Sequence, residues 1–150
     1  MEQLPSNIRV ATWIGTHCLL KLAATQGLVD SRLTAFVAYL SELLTAEDIV
    51  SWDSRGGALI VTGMGDPLPD DMEPVASMHE LIESVREISA SQLYGAFNPH
   101  EVRGYLENAM QLSDMPLAYY DFVKLRQYEV DDGWGNPLVP KDLEACRNAA

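Results

Sequence analysis

Apolar residues recur at steps of three and four along most of the chain, the spacing that places them on one buried face of an α-helix. The clearest repeat consists of Leu33, Phe36, Val37, Leu40, Leu43 and Leu44. Asp30 or Ser31 can cap the start of this helix, because a short polar side chain accepts hydrogen bonds from the free backbone N–H groups there. Another repeat predicts a helix over about residues 75–94, with a core face of Met78, Leu81, Ile82, Val85 and Ile88.

The first helix is predicted to run from Ser6, which suits an N-cap, to Gly27, which suits the left-handed position after a helix. Its apolar residues surround most of the helix; they are Ile8, Val10, Ala11, Trp13, Ile14, Cys18, Leu19, Leu20 and Leu22. A helix that is apolar on most sides is usually buried at the centre of a protein. The alternative is that one side of it contacts a second copy of the chain, which would form a homodimer.

Capping residues predict where two further helices begin. A short helix begins near Asp48 and ends by the glycine pair at 56–57. The strongest start signal is Asn98 as N-cap, followed by Pro99 at the first helical position and Glu101 to complete a capping box. The buried face predicted for that second helix is Val102, Tyr105, Leu106, Ala109 and Leu112.

The C-terminal third is less regular. Asp114 is predicted to cap a helix that has Pro116 in its first turn and continues towards Tyr128. A strand over residues 122–130 is the alternative, because aromatic and branched residues are frequent there. A short helix is predicted from about residue 140 to residue 148.

Two segments between the helices bear on the fold class. The apolar run ALIVT at 58–62 is either a connector or one arm of a minor β-hairpin, since a lone strand needs a partner. Residues 63–74 contain three prolines and two glycines, which predicts a loop. The chain is therefore expected to form one mostly α-helical domain over residues 1–150, a bundle of about five to seven helices.

The charge of the chain is strongly unbalanced. There are 22 Asp and Glu residues against 10 Lys and Arg, which gives a formal net charge of -12 on 150 residues. Hydrophobic residues make up 47% of the chain, so it is not a disordered acidic tail. Nucleic acid is a poor partner, because binding to phosphates needs Lys and Arg to release counterions. A basic protein is the natural complement, although many acidic domains carry their charge only for solubility.

Signals for export or membrane insertion are not predicted. The start of the chain, MEQLPSNIRV, has an early Glu2 and no basic segment before an apolar core. The most apolar stretch, residues 8–24, is interrupted by Arg9, His17 and Lys21 and falls short of a membrane span. A cytoplasmic location with no membrane partner is therefore expected.

No residue pattern predicts catalysis, a metal or a cofactor. His17 and Cys18 are adjacent and so point about 100° apart around a helix, which disfavours a Cys–His dyad. His79 and Glu83 share a helix face, but no H-E-x-x-H motif accompanies them. An enzyme with a dispersed active site is the alternative that spacing cannot test.

Two acidic loops, residues 66–73 and 131–132, have apolar or aromatic neighbours and form the candidate binding surface, with their carboxylates expected to be exposed. The candidate partner-binding residues are Asp66, Asp70, Asp71, Glu73, Asp131, Asp132 and Trp134. Carboxylates steer a basic partner while an exposed aromatic side chain supplies local affinity. We expect the carboxylates to gather into one patch. The competing interpretation of Trp134 is that it folds back as a core plug.

These patterns favour a protein-binding module, most specifically a bacterial inhibitor or immunity protein that neutralises a basic partner such as a nuclease toxin. The first alternative is a homodimeric helical adaptor or regulator that pairs through its first helix. The second alternative is the enzyme with a dispersed site.

Overall fold

The computed structural model describes residues 3–72 and 76–148. Seven α-helices lie in these ranges: α1 Ile8–Gln26, α2 Ser31–Ser41, α3 Ile49–Gly56, α4 Ala76–Ala90, α5 Pro99–Leu112, α6 Phe122–Leu125 and α7 Pro140–Glu144. Single 3-10 turns cover Glu42–Leu44, Leu117–Tyr119 and Arg126–Tyr128. The described ranges contain no β-strand, and only an isolated bridge joins Tyr120 to Arg147. The expected mostly α-helical bundle is confirmed, and residues 58–62 form a connector.

The α1 helix lies at the centre of the bundle. It packs against α4, α5 and α2, and its residues from Ile8 to Thr16 are all buried. Packing of α1 against α4 is close, since a Cβ at Gly15 would lie 2.6 Å from a methyl group of Val85. Most of its apolar surface is therefore covered by its own chain, and Leu20 is its one large apolar residue that remains exposed.

The start of α1 differs from the prediction by one residue. Asn7 is the N-cap, and its side-chain oxygen accepts a hydrogen bond from the backbone N–H of Val10 at 3.0 Å. Ser6 is instead held by Glu129, which accepts from both the Ser6 backbone N–H at 2.9 Å and the Ser6 hydroxyl at 2.6 Å. The predicted end is confirmed, because Gly27 has a φ of 63°, in the left-handed region.

The start of α5 confirms the predicted cap and corrects its second half. Asn98 accepts hydrogen bonds from the backbone N–H groups of His100 and Glu101. The Glu101 carboxylate does not return to the backbone N–H of Asn98, which donates instead to the side chain of Gln92 at 2.7 Å. Gln92 also donates to Glu101 at 2.9 Å. The α4 helix ends at Ala90, earlier than predicted, and Gln92 follows it in the turn.

The predicted helix from Asp114 to Tyr128 is wrong, and so is the alternative strand at 122–130. Asp114 has a φ of 55° and caps nothing. Pro116 pushes the residue before it away from helical geometry, so the chain continues in short pieces. Asp121 is the actual cap, accepting from the backbone N–H of Lys124 at 3.2 Å where α6 begins.

Candidate functional site

Two arginines carry their charge into the protein interior. Arg9 is 2% exposed, and its guanidinium donates to the carbonyl oxygens of Leu43 at 2.5 Å, Ala46 at 2.7 Å and Trp134 at 3.1 Å. Burial lowers the pKa of Arg9, and the negative charge of Asp132 partly opposes that shift. This cation therefore joins three segments of the chain and leaves the surface without its charge.

Arg86 is the second buried cation and is also 2% exposed. It donates to Asp53 at 2.5 Å and to the hydroxyl of Ser89 at 2.7 Å. Its guanidinium lies 5.7 Å from the ring of Tyr39 and 5.1 Å from that of Trp52, and the two rings stack at 4.6 Å. Because two of the few cations serve the core, exposed carboxylates keep fewer neutralising partners.

The first predicted acidic loop, 66–73, belongs to a longer connection that is described over residues 58–72 and is called the first acidic loop from here on; it follows α3 and is anchored to the core. Val61 and Met72 are buried, and Gly63 sits so close to Arg86 that a Cβ there would lie 2.7 Å from the Cβ of Arg86. Ile60, just before the first of these anchors, is 64% exposed, and Met64, between them, is 54% exposed. The loop is therefore a fixed segment that presents apolar side chains to solvent.

The carboxylates of the first acidic loop follow Ile60 and Met64 in the chain. Asp66, Asp70 and Asp71 are exposed, as predicted. Asp66 accepts a hydrogen bond from the hydroxyl of Thr62 at 2.9 Å, and Asp71 forms an ion pair with Arg32 at 2.7 Å. Within the described ranges, Asp66 and Asp70 form no ion pair. Glu73, also predicted here, lies outside the described residues.

Arg32 fixes the first acidic loop to the start of α2. Besides Asp71, it binds Asp30 at 2.7 Å, and Asp30 is the N-cap of α2. The hydrogen bonds from the Arg32 side chain hold the pKa of the Asp30 carboxyl at about 2, well below its usual range. One guanidinium therefore joins the helix cap to the loop, and Asp71 is the neutralised member of the acidic set.

The second acidic loop, residues 129–135, packs closely against Phe97 and the start of α1. Gly133 has a φ of 81°, and a Cβ there would lie 2.3 Å from Phe97. The Gly133 carbonyl accepts a hydrogen bond from the backbone N–H of Ile8 at 2.7 Å. The Asp132 carboxylate accepts from the backbone N–H groups of Trp134 at 2.9 Å and Gly135 at 2.8 Å, so it stabilises its own turn.

Trp134 does not project as an exposed aromatic residue. Its side chain is half-buried and packs against the core, and its carbonyl oxygen accepts from Arg9. This is the position that the core-plug interpretation describes. Asp131 and Asp132 are exposed. The second loop therefore offers carboxylates without a freely exposed aromatic neighbour.

The two acidic loops lie at different ends of the hairpin formed by α1 and α2. The first contacts Arg32 in the first turn of α2, which follows the end of α1, whereas the second contacts Ile8 at the start of α1. The length of α1 is about 28 Å at 1.5 Å per residue. The expectation of one continuous acidic patch is therefore wrong, because the four-residue connection between α1 and α2 places their starts apart.

The side chains considered for catalysis or metal binding have ordinary structural surroundings. Cys18 is buried, and burial raises the pKa of its thiol to about 11. His79 lies 3.1 Å from Glu83, and no group of three His, Cys, Asp or Glu residues in the described chain is arranged to hold a metal ion. No described helix is long and apolar enough to cross a membrane.

Sequence reasoning missed three features. The sequence places Ile60 in an apolar run without separating it from its neighbours, whereas in the structure Ile60 is exposed and the next residue, Val61, is buried. The buried roles of Arg9 and Arg86 depend on residues far along the chain and carry no local signal.

Comparison with known proteins finds no relative of this chain. No family model, no curated protein and no solved structure matches it.

Proposed function

We infer that the protein binds a basic protein through the first acidic loop. The observation that carries this proposal is that one loop exposes both apolar side chains, Ile60 and Met64, and carboxylates, Asp66 and Asp70, that form no ion pair within the described chain. The finer proposal is a bacterial, cytoplasmic inhibitor or immunity protein that neutralises a nuclease toxin. A nuclease is a fitting partner because its phosphate-binding surface is rich in Lys and Arg.

The two kinds of side chain in the loop have separate roles in this proposal. Carboxylates that are not neutralised raise the rate of encounter with a cationic surface. Burial of an Ile or Met side chain then contributes about 1.5–3 kcal/mol. A fixed loop also loses little conformational freedom on binding, which preserves more of that energy as affinity. Anchoring by Val61 and Met72 supplies this rigidity.

Calorimetry with loop variants tests the proposal. The probes are strongly basic nuclease domains of bacterial toxins, with lysozyme as a basic protein that is not a nuclease. Asp66→Asn with Asp70→Asn is expected to weaken the best nuclease complex by about tenfold. The matched control, Asp131→Asn with Asp132→Asn, removes the same charge from the second loop and is expected to change the affinity by less than about threefold.

The apolar part of the site has its own variant. Met64→Ser leaves every charge in place and is expected to weaken the same complex by about tenfold, mainly through faster dissociation. The proposal fails if no nuclease domain binds, if lysozyme binds as tightly as the nucleases, or if the two paired Asp→Asn variants lose the same affinity.

A second candidate function is the homodimeric regulator. Most of α1 is covered, but Leu20 is exposed and Val29 is 96% exposed beside a groove of about 270 Å³ between α1 and α2. A dimer would use this groove. Analytical ultracentrifugation at micromolar concentration decides between the two candidates: a dimer that Leu20→Ser with Val29→Ser converts to monomer supports the regulator, and a monomeric wild-type chain excludes it.

A further inference from the structure

A mainly apolar cavity with several basic side chains in its wall lies beside α1. Its volume is about 400 Å³, and it opens between α1 and the segment that follows α5. Three basic side chains line it, His17, Lys21 and Arg147. The chain has a formal net charge of -12, yet the charged side chains that line this cavity are basic.

The hydrogen bond between His17 and Tyr120 fixes which nitrogen of the imidazole carries its proton. The Tyr120 hydroxyl lies 2.6 Å from Nδ1 of His17, and Tyr120 is 2% exposed. This is the only hydrogen bond of the Tyr120 hydroxyl within the described residues, so its proton is satisfied only if Nδ1 accepts it. A neutral His17 then carries its own proton on Nε2.

Burial keeps the His17 imidazole neutral. Desolvation lowers the pKa of His17 to about 4, and the positive charge of Arg147 acts in the same direction while Glu144 opposes it. Burial also raises the pKa of Tyr120, so its hydroxyl keeps the proton that it donates. His17 therefore provides the cavity with an N–H donor that carries no charge at neutral pH.

Lys21 and Arg147 differ in how much of their charge remains available. Arg147 pairs with Glu144 at 3.0 Å, donates to the hydroxyl of Tyr119 and lies 5.2 Å from that ring. Lys21 makes one hydrogen bond, to the Ser113 carbonyl at 3.0 Å, and forms no ion pair within the described ranges. Since an ammonium has three N–H donors, Lys21 keeps donors for a ligand.

The rest of the cavity wall is apolar. Leu20, Met115, Pro116 and the ring of Tyr119 complete the lining. A few polar groups converging in a mainly apolar cavity of a few hundred Å³ is the usual form of a small-molecule site. The adjacent groove beyond Met115 is lined by Arg103 together with Glu107 and Asp114, and it lacks this excess of positive charge.

We propose that this cavity binds a small organic monocarboxylate with an apolar body. The carboxylate accepts hydrogen bonds from Lys21 Nζ and from the Nε2–H of His17, and the apolar body lies against Leu20, Met115 and Pro116. A single negative charge fits, because Arg147 is already paired with Glu144 and Lys21 alone supplies net charge. A phosphate dianion would meet only one unpaired cation there, Lys21, because Glu144 already neutralises Arg147.

Calorimetry and NMR with 3-phenylpropionate test the site, with 3-phenylpropionamide as its uncharged isostere. The carboxylate is expected to bind with a Kd below about 1 mM, and the amide at least about tenfold more weakly. Phenyl phosphate is expected to bind no better than the amide. On binding, the Nε2–H proton of His17 is expected to shift downfield. A carboxylate that fails to bind, or an amide or phosphate that binds equally well, overturns the proposal.

Variants locate the binding within the chain. Lys21→Met is expected to lower the affinity for 3-phenylpropionate by at least about tenfold, whereas Lys124→Met, which removes the same charge from an exposed residue that does not line the cavity, leaves it unchanged. Leu20→Trp fills the mouth of the cavity, breaks no hydrogen bond, and is expected to abolish binding. Equal effects of the two lysine variants, or full binding by Leu20→Trp, overturn the proposal.

Discussion

His17 is a neutral imidazole whose pKa is about 4 in the folded protein and about 6.5 in an unfolded chain. Between these pH values the unfolded chain binds more protons, so the free energy of unfolding falls as the pH is lowered. The contribution is fully present above pH 6.5 and is lost as the pH falls towards 4. We expect it to be on the order of 2 kcal/mol.

The check on His17 is urea denaturation of the wild type and of His17→Gln at pH 7.5 and pH 4.5. Glutamine accepts the hydrogen bond of Tyr120 but does not titrate. The carboxylates, including Asp30 with its lowered pKa, contribute equally to both proteins and cancel in the difference. The wild type is expected to lose more stability than the variant, and parallel losses would show that His17 is not the group responsible.

Arg9 gives a second prediction at the scale of one residue. Arg9→Met fills similar space but leaves the carbonyls of Leu43, Ala46 and Trp134 without their donor, which is expected to cost about 3 kcal/mol. Arg126→Met is the control, because Arg126 is exposed and, among the described residues, its side chain donates only to Phe122. Its expected cost is below about 0.5 kcal/mol. Chemical denaturation that ranks the two variants equally would contradict this account.

The structural roles of these single residues could not be predicted from the sequence. The sequence identifies Arg9, His17 and Lys21 only as interruptions of an apolar stretch. Their partners lie 34 to 125 residues away, in Leu43, Trp134, Ser113 and Tyr120. Local spacing holds no information about contacts at that distance.

Among the elements, the second acidic loop depends on close packing of Gly133 against Phe97. Gly133→Ala introduces both a strained φ and an overlap with the ring, whereas Gly65→Ala introduces the strain alone, since nothing lies within 4 Å of its Cβ position. Strain costs about 1–3 kcal/mol and overpacking a further 1–3 kcal/mol. Thermal unfolding should show the larger loss for Gly133→Ala, and equal losses would remove the packing role.

Helix prediction succeeded where periodicity and caps agreed. Asp30 caps α2, Asp48 caps α3 and Asn98 caps α5, as expected from their short polar side chains. The prediction failed after Asp114. Asp114 is a good capping residue, but Pro116, two positions later, disfavours helical backbone geometry at the residue before it. The reciprocal half of the capping box failed for a tertiary reason, since Gln92 takes the backbone N–H of Asn98.

At the scale of the whole molecule, the net charge of -12 is divided unevenly between interior and surface. The side chains of Arg9 and Arg86 are buried in the core, whereas exposed carboxylates lie in two separate loops. The sequence predicted the exposed acids of both loops but not their separation, which follows from the fold of α1 against α2. It also could not predict that Trp134 packs against the core, whereas Ile60 and Met64 are 64% and 54% exposed.

The salt dependence of the association rate distinguishes a complex that forms with the help of charge attraction from one that forms through apolar contacts alone. The complex between the protein and its best nuclease probe is expected to form more slowly as the ionic strength rises, because salt screens exposed charges beyond about 8–10 Å. The dissociation rate, which the proposal attributes to apolar contacts of Ile60 and Met64, is expected to change little. Stopped-flow kinetics at two salt concentrations measures both rates, and an association rate that is independent of salt would contradict the proposed role of the carboxylates.

The most direct test of the central claim is amide hydrogen exchange with and without the best-binding basic nuclease domain. Binding through the first acidic loop predicts new protection concentrated in residues 58–72, with residues 129–135 and the groove between α1 and α2 unchanged. Protection at either of those other surfaces, with none in residues 58–72, would contradict it.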